Sequence, residues 1–152
     1  MSPPELEFRS AAPDDASRLV AAFDWLFEPP GSRPAQWDPL VAEERLRRAS
    51  SSAAATVLLA EHTGELVGFC TVYLDIEPVR FGQRAWVEDL AVHPDHRSLG
   101  IGKALLDGAK QWARTRGAMH LELDSAFART EAHRFYVREG PSWDAVCFGW
   151  LL

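Results

Sequence analysis

A chain of 152 residues, 47% apolar and 25% charged, has the size and make-up of one globular domain. It holds no apolar run of the ~18 residues a transmembrane helix needs, so no membrane partner is expected. The formal charge of −6 would repel nucleic-acid phosphates and is compatible with a cationic substrate. Residues 1–5 are neither basic nor apolar, so no secretory signal is expected. Cys70 and Cys147 both lie in apolar stretches and predict buried free thiols in a reducing, cytoplasmic setting, with no metal-ligand spacing.

Residues 6–10 alternate as a first strand. Asp14 is placed to cap a helix in which Ala16, Leu19, Val20, Phe23, Leu26 and Phe27 recur at helical spacing. Pro29, Pro30, Gly31 and Pro34 break it. A second helix spans 39–49, with Leu40, Val41 and Leu46 on its apolar side, before a polar loop at 50–53. Residues 55–62 and 65–74 read as a hairpin about Thr63-Gly64. A strand follows at 83–92, halted by Pro94. The helix predicted at 100–116 buries Ile101, Ala104, Leu105, Ala109 and Trp112, and Gly117 closes it. A short buried strand at 119–123, an amphipathic helix at 130–139 stopped by Gly140-Pro141, and a last strand at 145–151 complete the chain. The order β-α-α-β-β-β-α-β-α-β predicts one mixed α/β domain over 1–152: a mostly antiparallel sheet flanked by helices, with a parallel crossover from 83–92 to 119–123. The last strand is apolar on both faces and unsuited to an open edge, so a homodimer is expected.

The most informative stretch is Arg97-Ser98-Leu99-Gly100-Ile101-Gly102-Lys103, where a strand turns into a helix through two glycines. Free N–H groups at a helix start hold phosphate, and glycine lets that backbone come close. A P-loop would need glycine at Arg97 and a hydroxyl residue at Ala104; a dinucleotide fingerprint would need glycine at Leu105. Both patterns fail. Arg97, Gly100 and Gly102 instead resemble the acetyl-CoA motif of the GCN5-related N-acetyltransferases. A second segment, 124–140, resembles that family's other motif through Ala132, Phe135-Tyr136 and Gly140. It departs from it at Arg129, where asparagine is common, and at Pro141, where an aromatic is usual.

The resemblance implies that acetyl-CoA lies along Leu90, Ala91, Val92, Arg97, Ser98, Leu99, Gly100, Ile101, Gly102 and Lys103, in a gap where two central strands splay apart. It implies an acetyl transfer to a small primary amine (polyamine-, aminoglycoside- or amino-acid-like) by direct attack, since no cysteine falls near the motif. A protein N-terminus or lysine as acceptor, or a non-catalytic acyl-CoA-binding module on the same fold, are the alternatives. Removing the proton from an alkylammonium at pH 7 costs about 4–5 kcal/mol, which a carboxylate base offsets. Glu88 is the candidate base, because the Glu88-Asp89 pair resembles the strand on which diamine and polyamine acetyltransferases carry a catalytic glutamate. Tyr136, carried over from the family's helix tyrosine, is the candidate acid for the leaving thiolate. In strict alternation Glu88 and Asp89 face opposite sides, unless a bulge changes the count; alternatively both pair with Arg84 or Arg97. Asp24, Trp25 and Trp37, on the wall where the family binds its acceptor, suit an ammonium ion, with Phe23 and Phe27 behind them as core. Asp89 and Asp124 are further substrate candidates, Asp124 equally a cap. His93, His96, His120 and His133 form no metal pattern, and no metal is expected.

Overall fold

The hairpin of residues 55–74 organises the molecule, which we describe from a computed structural model covering residues 5–152. Residues 1–4, most of the stretch read for a secretory signal, lie outside the described residues. Strands β1 (Leu6–Ser10), β2 (Ala55–His62), β3 (Glu65–Leu74), β4 (Arg84–Val92) and β5 (His120–Glu122) form one sheet in the order β1-β2-β3-β4-β5. All neighbours are antiparallel except β4 and β5, which are parallel, as the crossover requires. Thr63 and Gly64 take φ of 51° and 82°, the pair of left-handed residues that a tight hairpin turn demands.

Helices α1 (Ala16–Ala22), α2 (Asp24–Phe27) and α3 (Pro39–Ser51) cover one face of the sheet, and α4 (Ile101–Thr115) the other. Helix α5 (Thr130–Arg138) lies beside the start of α4, its Phe135 ring approaching Gly102. β2 and β3 are buried on both faces, which explains why they read as nearly continuous apolar runs. The α1–α3 core contains Leu19, Leu46, Leu59, Phe69 and Ala91; the α4 core contains Cys70, Val72, Val87, Ile101 and Leu105. Helix α4 sits so close to β3 that a Cβ on Gly68 would stand 2.9 Å from Ile101 Cγ2 and 3.1 Å from Leu105 Cδ1. Gly68→Val is therefore expected to cost about 1–3 kcal/mol through overpacking, read as a lower urea midpoint.

Several expectations need correction. The first helix is not continuous: the chain bends at Phe23, whose N–H bonds to Val20 O at 3.2 Å as its ring turns onto Phe69. Asp14 is no cap; Asp15 instead accepts the Ala12 N–H at 2.8 Å and binds Arg9 and Arg18. Those hydrogen bonds, the Arg9 one foremost, hold its carboxyl well below the usual range. Leu40 and Val41 face solvent, and α3 buries Ala42, Leu46 and Ala49. Cys70 is buried but Cys147 is exposed, and neither is in a disulfide. Residues 145–151 form no strand: β5 is only three residues long, and no ladder forms along its outer edge among the described residues. This apolar stretch has no ladder to join, and it lies on the surface.

Candidate active site

Two irregularities of β4 make the site. The first is a bulge. Thr71 pairs with Asp89 but Val72 pairs with Val87, so Glu88 is an extra residue on β4. Ahead of it, Trp86 sits opposite Tyr73 and shares the α1–α3 face; behind it, Asp89 and Ala91 stand opposite Thr71 and Phe69 on that same face. Glu88 is tied to Trp86, two residues earlier, whose indole Nε1 donates to Glu88 Oε2 at 2.6 Å. The bulge thus brings consecutive carboxylates to one side, where regular alternation would separate them. Neither pairs with Arg84, which binds Asp75 and Glu122, or with Arg97, whose Nε donates to Val92 O.

The two carboxylates differ in setting. Glu88 is exposed. Asp89 is half-buried, and its Oδ2 accepts the Thr71 hydroxyl at 2.6 Å while its own N–H donates to the same Oγ1 at 3.0 Å. Burial pushes the Asp89 carboxyl up to about 6; the Thr71 bond opposes this and the Glu88 charge adds to it. Burial also raises the Tyr73 phenol, helped by the charges of Asp89 and Glu88, so both carboxylates act on that hydroxyl.

An aromatic row continues from this point. Phe69 packs 4.9 Å from Phe23 and 6.1 Å from Trp25; Phe23 stacks 5.4 Å from Trp37, and Trp25 meets His93 edge-on at 5.2 Å. Phe23 and Phe27, expected as core, are half-buried parts of this wall. Asp24 is exposed and paired with Arg33 at 3.1 Å. The segment after α5 runs back over the surface. Trp143 stacks on Phe81 at 6.0 Å, the exposed Cys147 thiol donates to Asp124 Oδ2 at 3.1 Å, and Leu151 shares a groove with Trp37, Ala42 and Arg45. The Asp124 bond raises the Cys147 thiol, and the Glu88 charge contributes.

The second irregularity is a gap. β4 and β5 pair only through Arg84, Ala85 and Trp86, opposite His120, Leu121 and Glu122. From Val87 to Val92 the β5 side of β4 carries no strand among the described residues, as the family resemblance implies. Leu90 and Val92 pack toward the α4 core and Ala91 toward the other, leaving backbone at the gap. The chain then turns through Ser98 and Gly100 with φ of 64° and 81°, a concave arrangement of N–H groups suited to an anion. The first intrahelical bond of α4 is Ala104 N–H to Gly100 O, so the amides of Ile101, Gly102 and Lys103 keep their donors for a ligand. A Cβ on Gly102 would meet only ordinary contacts, Phe135 at 3.7 Å and Val92 at 3.8 Å. The fold itself does not require glycine there. Lys103 Nζ is held by Asp107 at 2.9 Å and Glu139 at 3.3 Å.

Tyr136 is half-buried and near Cys70. Burial pushes its phenol up to about 12, with Cys70 adding and the Arg129 cation opposing.

The profile of the Acetyltransferase (GNAT) family matches residues 19–140. The chain belongs to the GNAT family. An aminoalkylphosphonate N-acetyltransferase of Salmonella typhimurium is 37% identical over 54% of this chain and 53% of that protein. An aminoglycoside N(6')-acetyltransferase type 1 of Stenotrophomonas maltophilia is 30% identical over 82% of this chain and 78% of that one. Matches to three leading curated relatives span only 39–53% of their length. Among solved structures, a ribosomal-protein-alanine N-acetyltransferase of Brucella melitensis biovar Abortus superposes with a TM-score of 0.78 at 26% identity, over 97% of this chain and 100% of that one. The GNAT fold thus accounts for the β4–β5 gap. What sequence reasoning missed is Thr71, Tyr73 and the segment after α5: the first two enter the site only through cross-strand pairing with β4, which no local pattern announces.

Proposed function

We propose that this GNAT domain transfers an acetyl group from acetyl-CoA to a small primary amine by direct attack. The observation that carries the reading is the β4 bulge, which sets Glu88 and Asp89 side by side facing the aromatic row, next to the open β4 edge. An ammonium group suits that surroundings: aromatic faces attract a cation, and two carboxylates pair with it. Asp89, half-buried and fixed by Thr71, holds the cation. Glu88, exposed on the acceptor side, takes its proton directly or through water. The amides after Arg97 hold the cofactor pyrophosphate, and the free edge at Leu90–Ala91–Val92 lines the rest of the cofactor. Tyr136 keeps its proton throughout the working range and donates it in a hydrogen bond to the sulfur as charge builds there. Trp25, Trp37, Asp24 and Asp124 border the acceptor. The relatives that act on aminoglycosides and aminoalkylphosphonates support a small-molecule acceptor; likeness to the ribosomal-protein-alanine enzyme favours a peptide N-terminus as a second reading.

A screen of polyamines, aminoglycosides, aminoalkylphosphonates, amino acids and Ala-initiated peptides with acetyl-CoA, following free thiol release, tests this. Acceptor-dependent thiol release with a small amine is the expected result. Release only with peptides would favour the second reading, and CoA binding without release would leave a binding module. We further propose a cytoplasmic, metal-independent enzyme that works as a homodimer. Val146, Phe148, Trp150 and Leu151 are 61–89% exposed in one chain, more apolar surface than a lone subunit carries comfortably. Light scattering at micromolar concentration is expected to give twice the 16.9 kDa chain mass; a monomer overturns the dimer.

A further inference from the structure

Helix α2 ends in a way its own sequence cannot complete. The Leu26 carbonyl would be served by the N–H three or four residues on, but those residues are Pro29 and Pro30, which have none. The missing donor comes from far along the chain: Arg129, the residue before α5, donates from Nη2 to Leu26 O at 2.8 Å across a separation of 103 residues. The chain then folds over this contact, and a Cβ on Gly31 would collide with both Leu26 O and the Arg129 guanidinium. Arg129 is half-buried, and it forms no ion pair among the described residues, which fits a role as a donor rather than a surface charge. The two elements it joins carry the two halves of the site: α2 carries Trp25 on the acceptor wall, and α5, which begins directly after Arg129, carries Tyr136.

We infer that Arg129 is a positioning residue that clasps the acceptor wall to the Tyr136 helix, supplying to Leu26 the hydrogen bond that Pro29 and Pro30 cannot. This rests on the amine-acetyltransferase reading above. Arg129 works through Leu26 and α2 and touches neither reactant. Its loss loosens the wall that orients the amine and spares the pyrophosphate loop, which depends on α4.

The test compares Arg129→Ala, Arg129→Lys and wild type with one good acceptor from the screen. In Arg129→Ala the amine KM is expected to rise about tenfold or more, the scale of one lost charge-assisted hydrogen bond, while the acetyl-CoA KM stays within about twofold. Lysine can still reach a carbonyl and is expected to recover most of the loss, as is millimolar ethylguanidine added to Arg129→Ala. Deuterium uptake in a peptide covering residues 24–33 is expected to quicken in Arg129→Ala and stay near wild type in Arg129→Lys. An unchanged amine KM, or equal rises in both KM values with a lowered melting temperature, overturns the inference. If wild type turns over no amine, the proposed function fails separately, and the exchange experiment alone decides the clasp: faster uptake upholds it and unchanged uptake removes it.

Discussion

Glu88→Gln is expected to lower turnover of a good amine acceptor by roughly 10²-fold near neutral pH, within the usual range for loss of a general base. Glutamine keeps the size and can still accept the Trp86 indole N–H at its amide oxygen, so the bulge is expected to survive. Raising the pH supplies free amine without help and is expected to recover much of the loss. Tyr136→Phe is expected to lower turnover without that rescue, because what is missing is donation to the sulfur. Asp89 predicts the acid limb. Its carboxyl is raised from 3.8 to about 6, so lowering the pH through about 6 neutralises it before an ordinary aspartate would be. On the proposed reading this carboxylate holds the ammonium, so kcat/KM is expected to fall in the same range. In Asp89→Asn that limb is expected to disappear, on a lower plateau. A pH–rate profile of wild type and the three variants separates these roles. Wild-type rates in Glu88→Gln across pH 6–9 would remove Glu88 from the mechanism and transfer the base to Asp89 or a bound water.

The same neighbourhood marks the boundary of what the sequence discloses. Long periodic elements were legible: the apolar runs of β2 and β3, the stripe of α4, and the two glycines that open it. Each is encoded locally, by spacing within one segment. The bulge is a property of two strands in register, and neither β3 nor β4 contains a residue that signals it. Thr71 and Tyr73 were missed for the same reason. The expected strand at 145–151 failed in the opposite sense: its composition permits extension, but a strand also needs an edge to join, and β5 offers three residues. Pro29-Pro30 did announce two missing N–H donors, yet nothing local could name Arg129 as their substitute.

Gly102→Val is expected to abolish tight acetyl-CoA binding while the protein still folds. Two glycines that look alike in the sequence differ here in backbone conformation. Gly100 has φ of 81°, where any side chain is strained, so Gly100→Ala is expected to cost stability of about 1–2 kcal/mol whatever the ligand does. Gly102 lies in the first turn of α4 with right-handed helical backbone, and a Cβ there would rest 3.7 Å from Phe135 and 3.8 Å from Val92. Val at that site is tolerated by the apoprotein with small adjustments of the Phe135 ring. What it obstructs is the space over the amides of Ile101, Gly102 and Lys103, the donors left without intrahelical acceptors. A phosphate held off by one methyl layer loses both its hydrogen bonds and the close approach to the helix dipole. A loss of roughly a hundredfold or more in affinity, about 2.7 kcal/mol, is expected by calorimetry. The thermal midpoint without ligand is expected to stay close to wild type, and the stabilisation that acetyl-CoA gives wild type is expected to vanish in the variant. Undiminished affinity in a folded Gly102→Val would place the pyrophosphate elsewhere and break the link between the α4 amides and the cofactor.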